Sequence, residues 1–111
     1  MHIIVPIKQV PQTSDVQMDK QTGTMIRSSS ASILNPLDLY AISTALQLKD
    51  RCQARVSVIT MGPQSAVKVL KEAIAMGCDD AVHLTDRAFG GSDTWATSYI
   101  LSLAVKKLGI P

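Results

Sequence analysis

Residues 55–84, RVSVITMGPQSAVKVLKEAIAMGCDDAVHL, leave the chain few folds to choose from. They read as strand, tight turn, helix, turn and strand. Val56, Val58 and Ile59 belong to a β-branched run that ends at Met61-Gly62-Pro63. Glycine turns where a side chain would clash, and proline suits the first turn of a helix, where its missing N–H loses no bond. Beyond it Val67, Leu70, Ala73 and Ile74 recur at helical spacing, while Lys68, Lys71 and Glu72 take the other side. Gly77 stops the helix as a left-handed cap, and Ala81-Val82-His83-Leu84 begins a second strand. Strand, helix and strand within about thirty residues make a βαβ unit, whose strands lie parallel. Such units place ligands at the carboxyl ends of their strands, so the turn at Met61, Gly62 and Pro63 is the first place to look for function.

A chain of 111 residues makes one domain, long enough for a sheet with helices on it. With 46% hydrophobic and 18% charged residues, wholesale disorder is excluded, and at 4% aromatic the core must be aliphatic. A net charge of +2, without a Lys/Arg run, argues against a nucleic-acid partner. The apolar stretches are far short of a membrane span, so no membrane insertion is expected. Cys52 and Cys78 show neither metal spacing nor a CxxC pair, which reads as two reduced thiols in a cytoplasmic protein.

Around the central unit, residues 2–8 (HIIVPIK) have strand length, and Pro6 marks a strand end because it removes a ladder donor. That proline is either a harmless edge residue or the point where the strand frays and a ligand touches exposed backbone. Residues 9–32 do not look helical. Alternating segments around Lys20-Gln21-Thr22-Gly23 predict a β-hairpin excursion over residues 16–27, either a surface elaboration or, the favoured reading, a segment covering a site or meeting a partner. Asn35-Pro36-Leu37-Asp38 reads as a helix start with an Asn cap, Pro at the first position and a first-turn carboxylate. Leu39, Ile42, Ala45 and Leu46 form the apolar stripe that follows. Residues 85–93 make a polar, Gly-rich loop after a strand and before a helix, with Ser92, Asp93 and Thr94 all competent caps. Tyr99, Ile100, Leu103 and Ala104 give that last helix its apolar side. A parallel sheet calls for another strand after it, so a truncated chain is expected.

No GxGxxG follows the first strand and no GxxxxGK[ST] occurs, so the dinucleotide and P-loop fingerprints are missing. Cys78 precedes Asp79-Asp80, whose charges raise a thiol pKa, and His83 alternates within a strand as an ordinary strand residue. No triad, metal cluster or carboxylate pair stands out, which favours a binding module without catalytic residues over an enzyme.

Six stretches then line up in order: IVPIKQVP at 4–11, DKQTGTMIR at 19–27, ILNPLD at 33–38, MGP at 61–63, EAIAMGCD at 72–79 and DRAFGGSDT at 86–94. Together they resemble the N-terminal part of the beta subunit of an electron transfer flavoprotein. The resemblance implies an α/β, doubly wound parallel sheet of the adenine-nucleotide alpha-hydrolase type. Residues 1–111 would be the N-terminal nucleotide-binding part of a larger α/β domain. It also implies an alpha-subunit partner carrying FAD, electrons taken from a dehydrogenase that docks through the C-terminal part, and either a structural AMP or a second FAD. Carried over by motif, the nucleotide-facing residues are Pro6, Lys8, Asn35, Pro36, Leu37, Asp38, Met61, Gly62 and Pro63. The alternative is a stand-alone adenine-nucleotide sensor of the universal-stress type, which shares the architecture.

Overall fold

The computed structural model describes residues 1–11 and 32–109. The strands are β1 (His2–Pro6), β2 (Gln9–Pro11), β3 (Ser32–Leu34), β4 (Arg55–Met61) and β5 (Asp80–Leu84). The helices are α1 (Pro36–Cys52), α2 (Val67–Met76) and α3 (Thr94–Lys107), with 3-10 turns at Gln64–Ala66 and Arg87–Phe89. β1, β4 and β5 form a parallel sheet in the order β1-β4-β5, with Val5 beside Val58 and Val58 beside Ala81. The βαβ unit expected from the sequence is therefore present.

β4 is the middle strand, and Val56, Ser57, Val58, Ile59 and Thr60 are all buried, the run of a strand covered on both faces. Val56 and Val58 join Val5 and Ile7 in the core with Ile42 and Ala45 of α1 and Val69, Leu70 and Ala73 of α2. Ser57 and Ile59 alternate onto the opposite face, where Ile59 shares a cavity with residues of α3 and Ser57 one with Leu108 and Gly109 just after it. Helices thus lie on both faces of the sheet, the doubly wound arrangement.

β2 and β3 form a separate antiparallel ladder, Val10 beside Ile33, on either side of residues 12–31. The hairpin expected at 16–27 lies outside the described residues. Pro6 is the last residue of β1, as its missing donor requires. Pro63 is extended (φ −69°, ψ 173°) and stands before the 3-10 turn, so α2 starts four residues later than a proline in the first helical turn would place it. The buried faces of the helices are narrower than the spacing of their apolar residues predicts. Leu39, Ile74, Tyr99 and Leu103 are exposed, and no residue of α3 is buried.

The amino end of the sheet is closed by carboxylates. Asp79 accepts from the Val56 N–H at 2.8 Å and from Lys49 Nζ at 2.7 Å, and Lys49 also donates to the Gly77 carbonyl. The Lys49 bond, followed by the Val56 N–H, holds the Asp79 carboxyl below its ordinary 3.8. Asp80 is held low in the same way, first by Arg55, whose Nε donates at 2.6 Å, with a smaller contribution from Ser57. These two residues knit α1, α2 and β4 together. Burial, reinforced by Asp79, pushes the Cys78 thiol up and leaves it inert.

Candidate functional site

The opposite, carboxyl end of the sheet is where α1 and α3 both begin. β1 stays on β4 for one bond beyond Pro6, from the Ile7 N–H to the Ile59 carbonyl at 2.9 Å. Lys8 then turns its backbone to α1: its carbonyl accepts from the Asn35 N–H at 2.9 Å, and its N–H donates to Asp38 Oδ2 at 2.9 Å. Asn35 caps the helix by accepting from the Leu37 N–H at 3.2 Å, with Pro36 at the first position. The Asp38 carboxylate is thereby fixed at the positive end of α1, beside the end of β1.

On the next strand, the Gly62 N–H donates to the Leu84 carbonyl at 3.0 Å, and the Pro63 carbonyl takes up the Ala66 N–H at 2.9 Å. The far wall is α3. Asp93 caps it, accepting from the Ala96 N–H at 2.8 Å, and Ser98 Oγ donates to the Thr94 carbonyl at 2.8 Å. Between these elements lies a cavity of about 510 Å³. Its floor and near wall are Pro6, Ile7, Lys8, Asp38, Ile59 and Met61. Ser92, Asp93, Thr94, Thr97, Ser98 and Leu101 form the far wall. The volume falls within the few hundred to about 1,000 Å³ of small-molecule sites.

Of the nine residues singled out in the sequence, Pro6, Lys8, Asp38 and Met61 line this cavity. Asn35 stands behind as the cap, and Pro36 and Leu37 lie on the exposed outer side of the first turn of α1. Gly62 and Pro63 follow Met61 away from the lining. The residues of α3 were missed. Their signal was topological: the loop before α3 follows β5 just as the Met61 turn follows β4. Among the described residues, no group of three His, Cys, Asp or Glu could hold a metal ion, and no helix is long and apolar enough to cross a membrane.

A family model described as "Electron transfer flavoprotein domain" matches residues 22–110. The chain is 54% identical over 108 residues to "Electron transfer flavoprotein subunit beta" of Clostridium acetobutylicum, covering 97% of this chain and 42% of that protein. It is 52% identical to "Caffeyl-CoA reductase-Etf complex subunit CarD" of Acetobacterium woodii, covering 97% and 42%. To "Protein FixA" of Azorhizobium caulinodans it is 49% identical, covering 98% and 39%. The chain spans about two fifths of the length of these curated relatives. By the family match and by identity near one half over almost all of its length, this chain belongs to the electron transfer flavoprotein family, matching the N-terminal part of its beta subunits.

Proposed function

We propose that the chain is the nucleotide-binding part of a cytoplasmic electron transfer flavoprotein beta subunit. It holds AMP or FAD by the adenosine end and works beside an FAD-containing alpha subunit to carry electrons from a dehydrogenase to an acceptor. The observation that carries this reading is convergence. Pro6, Lys8, Asp38 and Met61 come from three separate motifs and meet on one cavity at the carboxyl ends of β1 and β4.

The lining fits an adenosine. Ile59, Met61 and Leu101 offer apolar and thioether surface to a base. Asp38 has acceptor capacity beyond its bond to the Lys8 N–H, suited to a ribose hydroxyl or an adenine amino group. Thr94, Thr97 and Ser98 add hydroxyls from the other side. FAD, when bound, supplies the ring that takes up and releases electrons, while the side chains here bind and orient rather than catalyse. Two relatives named for caffeyl-CoA reductase and acryloyl-CoA reductase assemblies support a partner that handles acyl-CoA esters.

An amide NMR titration of this chain with AMP and then FAD tests the reading. Shifts are expected at Lys8, Asp38, Met61, Thr94 and Thr97. Shifts confined to the amino end of the sheet, or none at millimolar ligand, would overturn it.

A further inference from the structure

We propose that His83 is a positioning residue, which fixes the turn beside Met61 through a hydrogen bond to the Gly62 carbonyl. His83 lies on β5 directly across the ladder from Thr60 of β4, two residues before Gly62. Its Nε2 is 3.0 Å from the Gly62 oxygen. A carbonyl oxygen can only accept, so Nε2 carries the hydrogen in this contact whatever the charge of the ring. The adjacent residue of β5, Leu84, takes the Gly62 N–H on its own carbonyl at 3.0 Å. Two successive residues of one strand therefore hold both polar groups of a single glycine.

That hold matters because this turn has few other anchors. Gly62 has no side chain to pack, and Pro63 has no N–H to donate. Without the imidazole, the Gly62 carbonyl loses this partner and the turn is left to the fixed φ of Pro63 and the bond from the Ala66 N–H to the Pro63 carbonyl, so Met61 in the cavity wall gains room to shift. Leu84 alone cannot prevent this, because its bond restrains the other peptide group. His83 does not line the cavity, so its effect on a ligand is transmitted through Met61.

The proposal rests on the nucleotide reading only in the second arm of its test, which compares the full chain with His83→Leu and His83→Gln. In the first arm, long-range proton–nitrogen NMR is expected to show the Nε2–H form of His83. His83→Leu should move the Gly62 carbonyl carbon and the Met61 methyl resonances. His83→Gln, which keeps an N–H donor, should leave both near wild type. A hydrogen on Nδ1 alone, or a Gly62 carbonyl unmoved by leucine, overturns the proposal. Should the leucine variant fail to fold, the hydrogen position in wild type and the glutamine spectrum decide. In the second arm, AMP affinity should fall about fivefold in His83→Leu, the loss of one modest hydrogen bond, and return to within about twofold in His83→Gln. Equal affinity in wild type and the leucine variant overturns the positioning role. Absence of AMP binding in wild type counts against the nucleotide reading, and the first arm then judges His83 alone.

Discussion

Gly62 sits between a buried strand and a proline, yet its φ is outside the left-handed region, and a Cβ there would meet the Cβ of Ala66 at an ordinary 3.5 Å. Gly77 is different: its φ is +124°, and its added Cβ would touch the Leu46 side chain at 3.4 Å. The described fold needs glycine at 77 and admits alanine at 62; on the nucleotide reading, a ligand reaching past Met61 is what glycine at 62 accommodates. Gly62→Ala is therefore expected to hold or raise stability, by about 0.5 kcal/mol through a stiffer unfolded chain. It should also weaken AMP binding about tenfold through one intruding methyl. A thermal melt beside a calorimetric titration checks both, and unchanged affinity would remove Gly62 from the site. At the other end of the sheet, Asp79 predicts an acid limb. Its folded pKa lies below the ordinary 3.8, so its stabilisation is in place above that pH and drains away as pH falls through the folded value. Asp79→Asn should lower stability at neutral pH and flatten the fall below about pH 4, read from denaturant midpoints across that range. A fall as steep as wild type would mean that other carboxylates carry the acid limb.

At the scale of elements, the βαβ unit was legible because its signals agree. β4 is a β-branched run, Gly77 demands a turn, and the charged side of α2 marks its outer face, although Ile74 at the margin is exposed and Val69 is buried. α3 was legible as a helix but not as to its face. Apolar residues run most of the way round it, and the regular stripe Trp95, Tyr99, Leu103 points outward, with the two rings stacked at 5.8 Å. The half-buried positions are Ala96, Thr97, Ile100, Leu101, Ala104 and Val105, a side whose smaller and hydroxyl-bearing members suit a cavity wall. Spacing cannot choose between two such stripes, and serines and threonines at a helix start pass equally well for caps or surface residues. The same blindness explains the partial reading of the site. Motifs at strand ends marked Pro6, Lys8, Asp38 and Met61, whereas nothing local distinguished Thr94, Thr97 and Ser98. Because α3 buries no residue fully while β4 buries all five residues from Val56 to Thr60, the backbone amides of α3 are expected to exchange with solvent well before those of β4 and α2. Equal protection of α3 and β4 in a native-state exchange experiment would contradict this weak docking.

Across the whole molecule, both ends of the sheet carry carboxylates, paired with Lys49 and Arg55 at the amino end and set at helix starts at the carboxyl end. α1 and α3 both start at the carboxyl end, and a helix start is ordinarily an attractive place for phosphate. Here each start already carries a carboxylate: Asp38 in the first turn of α1 and Asp93 capping α3. Both line the cavity, where the single ammonium among the described lining residues is that of Lys8. The positive helix ends are thus answered from within the chain, and a phosphate entering the cavity would meet two negative groups and one positive. A neutral, hydrogen-bonding group such as a nucleoside suits that balance better. This stretch, about two fifths of the length of its curated relatives, is accordingly expected to grip the adenosine and leave the phosphates nearly unheld. Adenosine and AMP should then bind to it within about threefold of one another, with little change as salt screens the charges. Titrations at low and high ionic strength measure this directly. An AMP affinity well above that of adenosine, shrinking as salt is added, would show instead that Lys8 reaches the phosphate and outweighs both carboxylates.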